Sequence, residues 1–163
     1  MEGQPFFTTI AGLSVSLAGF GAVIAWLRDD PTGWDPINLW RVRTIVRHAL
    51  TIAFLCLSLI PIQTFTGDDR TTLRLGSALF LLFILVEMWR ARDRDPEVWT
   101  PKVSWVVYMG SNTLLGLACL VNVFVGSLGL LQVIALILLT SPAAIFLNFV
   151  REIGGRRSGP TSA

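Results

Sequence analysis

The sequence is poor in the residues that usually carry chemistry. It has one histidine, one lysine, one tyrosine and two cysteines in 163 residues, and only 15% of the chain is charged. A single histidine rules out a multi-histidine metal site within one chain, and no Cys/His spacing of the zinc type occurs. Two cysteines, Cys56 and Cys119, each inside an apolar run, form neither a disulfide framework nor a metal site and read as small buried hydrophobes. No glycine-rich phosphate loop, no Ser/His/Asp set and no pair of carboxylates within an apolar segment is found. The connecting segments are too short to fold into a catalytic domain. The chain is therefore expected not to be an enzyme and to need no cofactor or metal. A net charge of +2 excludes a nucleic-acid binder, which is strongly basic over one face.

Apolar residues are abundant instead: 53% of the chain, with a mean hydropathy of +0.64. Soluble domains hold about 45–50% apolar and about 25% charged residues. Charges here gather in clusters, and the stretches between them approach the ~20 apolar residues that cross a bilayer. Five such segments are read, at roughly 6–27, 44–65, 73–89, 103–125 and 128–150. The third is the shortest, and only Gly126 and Ser127 separate the last two. The expected fold class is all-α: a polytopic transmembrane helical bundle of five spans. Residues 1–153 form one transmembrane domain, and 154–163, rich in Gly, Arg, Ser and Pro, read as a disordered tail.

Basic residues set the orientation. With five spans, one side holds Arg28, Arg41, Arg43, Arg47, Arg90, Arg92, Arg94, Lys102, Arg151, Arg156 and Arg157, and the other only Arg70 and Arg74. Eleven against two marks the first side as cytoplasmic by the positive-inside rule, with the N-terminus outside. Four spans would weaken the split to eight against five. No basic residue precedes Phe6, so a cleavable signal peptide is not expected and the first span stays in place. Arginine outnumbers lysine twelve to one, which resembles a high-GC bacterial coding bias and points to a bacterial cytoplasmic membrane.

The two loops on the basic side match without a gap. Residues 30–40 read DPTGWDPINLW and residues 95–105 read DPEVWTPKVSW, sharing Asp30/Asp95, Pro31/Pro96, Trp34/Trp99, Pro36/Pro101 and Trp40/Trp105. TTIAGL at 8–13 likewise resembles TTLRLG at 71–76, and Trp26 answers Trp89. Asp35 and Thr100 suit N-caps, with proline at the first helical position, where its missing N–H is harmless. Trp26, Trp34, Trp40, Trp89, Trp99 and Trp105 all fall on the basic side, as interfacial anchors do. The chain thus reads as two parallel hairpin repeats, about 8–66 and 71–126, followed by a fifth helix.

Few residues are candidates for function. Arg47 and His48 lie seven and eight residues beyond Trp40, either inside the membrane or at its edge with the arginine snorkelling. Glu87 is the sole acid inside a span; it pairs with Arg90 one turn on, or across helices with Arg47. With Asn112 and Asn148 these three make a candidate intramembrane polar layer. Small residues in the first span (Gly12, Ser16, Gly19) and a small, polar stripe in the fifth (Gln132, Thr140, Ala144, Asn148) permit close helix approach, within the chain or in an oligomer. Residues 36–43 are read as able to lie in the interface before turning inward, with Arg41 and Arg43 on anionic headgroups. The expected partners are the lipid bilayer and either another copy or another membrane protein. Two functions remain: a non-catalytic structural or accessory protein, or a small oligomeric channel or carrier built on the polar layer.

Overall fold

Glycine ends two of the helices, and does so at the same end of the molecule. In the computed structural model, which describes residues 2–27, 36–92 and 102–156, five helices follow one another: α1 (Gln4–Leu27), α2 (Pro36–Thr66), α3 (Asp69–Arg92), α4 (Lys102–Val125) and α5 (Leu128–Arg156). α2 stops at Gly67 (φ 65°) and α4 at Gly126 (φ 68°), each in the left-handed conformation that closes a helix C-terminus. Their amides donate back to the carbonyls of Gln63 and Asn122, at 2.9 and 2.8 Å. The next residue then caps the following helix. Asp68 accepts from the amide of Thr71 at 2.7 Å, and the Ser127 hydroxyl accepts from the amide of Leu130 at 3.4 Å. Two-residue turns of this kind force α2 against α3 and α4 against α5 at what is here termed the short-turn end. α1 and α3 end, and α2 and α4 begin, at the opposite, arginine-rich end.

All five helices are long and apolar enough to span a membrane, and no strand occurs among the described residues. The protein is a multi-pass membrane protein. Its outer surface agrees: Phe54 and Leu114 are each 70% exposed, an arrangement costly in water and neutral in hydrocarbon. Several hydroxyls within the spans donate to their own helix one turn back, as Ser14 to Ile10 (2.8 Å) and Ser77 to Leu73 (2.7 Å), which satisfies them without water.

α1 packs most extensively on α2 and α3 on α4; α5 touches all four other helices, and among the described residues α1 reaches neither α3 nor α4. The hydrophobic core concentrates toward the short-turn end, where Phe7, Cys56, Leu59, Phe80, Cys119 and Leu131 are fully enclosed. Gly76 admits this density: a methyl group there would strike the side chain of Leu59.

Helix ends differ from the expected spans. α3 covers 24 residues rather than the expected seventeen, because Asp69 and the arginines at its other end are helical as well as polar. α2 starts eight residues before the expected edge and is unbroken from Pro36 to Thr66, so residues 36–43 do not turn against the rest of the span but prolong it. Pro36 begins the helix, where proline fits. α5 continues to Arg156, so the first three residues read as tail are helical. The expected caps Asp35 and Thr100, the anchors Trp34 and Trp99, and the tail beyond residue 156 lie outside the described residues.

A buried carboxylate hub at the arginine-rich end

Glu87 stands on α3 five residues before its end, on the side turned toward α2, and its side chain is only 3% exposed. A carboxylate placed there must be bonded or its desolvation is ruinous. Side chains from α2 and from α3 itself answer it. The Nη2 of Arg47 donates to Oε2 at 2.9 Å, and His48 Nε2 meets the same oxygen at 2.6 Å. Arg90 Nη1 donates to Oε1 at 3.1 Å from one turn further along α3. The local pair and the cross-helix pair thus coexist on one carboxylate.

Helical geometry explains how neighbours in sequence reach one atom. Arg47 and His48 differ by ~100° around α2. His48 takes the inward direction, with a side chain 7% exposed, while Arg47 approaches along the edge and stays 40% exposed. Arg90, 53% exposed, does the same from the other flank. The arginines keep contact with the outside while their heads serve a buried acid. Phe83, one turn before Glu87, sets its ring edge-to-face with His48 at 5.9 Å and holds the imidazole plane. The Nε of Arg47 is buried without a partner among the described residues.

Beside this hub lies a cavity of about 120 Å³ between α2, α3, α4 and α5. His48 and Glu87 form part of its wall, α4 contributes Tyr108, Ser111 and Asn112, and α5 contributes Thr140 and Ser141. Asn112 is buried and donates Nδ2 to the Tyr108 carbonyl at 2.8 Å. Of the five residues of the expected polar layer, Arg47, His48 and Glu87 are bonded together, and Asn112 shares the cavity with the last two. Asn148 departs from it. It is exposed on α5, seven residues and about 10 Å along the helix from Ser141, beyond the cavity.

The small-residue stripes also have definite places. Gly12, Ser16 and Gly19 of α1 are exposed, with open space beyond both glycine α-carbons. On α5, Thr140, Ala144 and Asn148 are exposed and Gln132 is half-buried. Trp26 and Trp89 are exposed, Trp105 less so, and Trp40 is half-buried, all four near the arginine-rich end.

A second polar knot was not foreseen from the sequence. Asn122, fully buried in α4, donates to the Ser77 hydroxyl at 2.8 Å and to the Ser127 carbonyl at 3.1 Å, and accepts from the Ser127 amide at 2.7 Å. Arg74 donates to the Phe124 carbonyl (2.7 Å) and Arg70 to the Val125 carbonyl (3.3 Å), so both arginines of the short-turn end cap the C-terminus of α4. The signal lay in the Gly126-Ser127 turn: a helix stopping there must place its last carbonyls somewhere. Tyr108, one turn before Asn112, and the Thr140-Ser141 pair within an apolar run were the available hints of the cavity wall.

Compared with known protein families, with curated proteins and with solved structures, the chain matches none.

Proposed function

We propose that this chain is a non-catalytic membrane protein that assembles with a second copy of itself in a bacterial cytoplasmic membrane, its arginine-rich end facing the cytoplasm. The observation that carries this reading is the outer face of α1. Gly12, Ser16 and Gly19 stand there at near-helical spacing with nothing among the described residues packed beyond the glycines, and the Ser16 hydroxyl is already bonded to the Gly12 carbonyl at 2.9 Å. Such a surface lets two helix backbones approach closely, which is how spans associate when hydrocarbon gives no hydrophobic drive. The duplicated loop sequences fit two hairpins serving as a scaffold, with α5 packed against both.

A channel or carrier is the second reading, favoured by the cavity that His48, Glu87 and Asn112 share. Against it stand the position of Asn148 and the filled core of the short-turn half, where Phe80, Cys119 and Leu131 have no exposure.

Native mass spectrometry of the protein released gently from its own membrane tests the proposal. A discrete homo-oligomer that falls apart in Gly12→Leu and Gly19→Leu is the expected result. A monomer, or an oligomer indifferent to both substitutions, contradicts it. Saturable solute flux in liposomes, abolished by Arg47→Met or Glu87→Gln, would favour the carrier instead.

A further inference from the structure

Arg47 and Arg90 bond to different oxygens of one carboxylate, so their guanidinium groups stand within a few ångströms of each other. Among the described residues Arg47 reaches Glu87 through Nη2 alone and Arg90 through Nη1 alone, which leaves the second terminal nitrogen of each unspent. Two guanidinium groups against one carboxylate leave a positive charge, whatever His48 carries. Neither arginine lines the inner cavity. Their exposed surface belongs to the outer seam between α2 and α3. Arg43, Leu50 and Phe54 are exposed along α2, and Leu82, Val86 and Trp89 along α3. Arg47 and Arg90 border these two faces where the helices meet, since both turn toward Glu87.

Depth decides what reaches the seam. Glu87 lies eighteen residues beyond Asp69, the first residue of α3, which is about 27 Å of helix. The hydrocarbon of a bilayer is about 30 Å thick. With Asp69 and Arg70 at the headgroups of one leaflet, the Arg47–Arg90 pair falls at the phosphates of the other.

We propose that the outer α2–α3 seam binds the phosphate diester of an anionic membrane lipid, Arg47 and Arg90 donating to separate phosphate oxygens. Planar forks suit this contact, and Glu87 holds both in place before the lipid arrives, so little side-chain freedom is lost. Arg43, exposed one turn along α2 from Arg47, repels the cation of a choline or ethanolamine headgroup, which selects lipids of net negative charge. The acyl chains lie along Leu50, Phe54, Leu82 and Val86. The site is complete within one chain and holds for a monomer as for an oligomer.

Native mass spectrometry of the full chain in detergent, titrated with phosphatidylglycerol or phosphatidylcholine, tests the site. Phosphatidylglycerol should saturate at one molecule per chain and bind about tenfold more tightly than phosphatidylcholine. Arg47→Gln and Arg90→Gln should each remove most of that preference. Arg92→Gln takes the same charge from an exposed position two residues beyond Arg90 and should leave it unchanged. If Arg47→Gln does not fold, Arg90→Gln decides alone, because Glu87 then keeps Arg47 and His48. Equal binding of the two lipids, or uptake without saturation, overturns the proposal. So does a preference that survives Arg90→Gln or falls as far in Arg92→Gln. Inorganic phosphate that displaces phosphatidylglycerol at equal concentration overturns the assignment to a lipid.

Discussion

The two ends of this bundle spend their polar residues differently. At the short-turn end Arg70, Arg74, Asp68, Asn122 and Ser127 all serve backbone groups left over where helices begin and stop. At the arginine-rich end Arg47, His48, Glu87 and Arg90 serve one another, side chain to side chain, next to a cavity. Capping fixes where a chain turns and goes with a filled core. A side-chain hub fixes which helices stay together while leaving room beside it. The first kind of polarity is forced by the two-residue turns. The second is not forced by any backbone need.

Breaking the hub should give the largest effect. Glu87→Leu leaves Arg47 Nη2 and the His48 Nε2–H without an acceptor. Removing one partner of a fully buried ion pair costs about 3–5 kcal/mol; because Arg47 and Arg90 reach outside, a loss of about 2–3 kcal/mol is expected here. Reversible unfolding in mixed micelles measures it. Reversing Arg47 and Glu87 together should recover only part of the loss, since an arginine at 87 would face Arg90.

The corresponding break at the other end is Asn122→Ala. It removes three bonds, one buried and two part-buried, but strands no charge, so about 1–2 kcal/mol should be lost. A loss exceeding that of Glu87→Leu would invert the ranking of the two ends.

Spans were legible because long apolar runs between charge clusters admit few alternatives. Their ends were less so: Arg41 and Arg43 look like loop residues, yet α2 begins before them, since a helix has no need to stop where the bilayer does. Arg47 and Glu87 could be matched by depth alone. His48 could not, because depth says nothing of which way a helix is rotated, and rotation is what aims the imidazole at Glu87. The same blindness put Asn148 in the layer and passed over Asn122, a lone polar residue in an apolar run whose use appears only once the Gly126 turn folds back on it.

Within the short-turn end, the two glycines sharpen the comparison. Both have positive φ, but a methyl group on Gly126 would meet the Arg70 Cγ at 2.8 Å, whereas one on Gly67 would meet nothing within 4 Å among the described residues. Gly67→Ala should cost about 1 kcal/mol for its backbone alone, and Gly126→Ala about 2. Equal losses would mean that Arg70 yields freely.

Acid should separate the ends in the smallest way. The Thr71 hydroxyl and amide donate to Asp68 and hold its carboxyl below the ordinary 3.8. A carboxyl depressed on folding adds stability above its unfolded pKa and loses it as pH falls through the folded one. The advantage of the natural chain over Asp68→Asn should therefore be constant near neutrality and shrink below about pH 4. A melting-temperature difference that grows in acid would contradict this.

The account rests most on Glu87 holding α2 to α3. A double-mutant cycle on unfolding free energy with Arg47→Met and Glu87→Gln tests that tie directly. It should return a coupling of about 1 kcal/mol or more, as for residues in one bonded network. Losses that add to within ~0.3–0.5 kcal/mol, as they do for independent sites, would show that the two side chains do not meet.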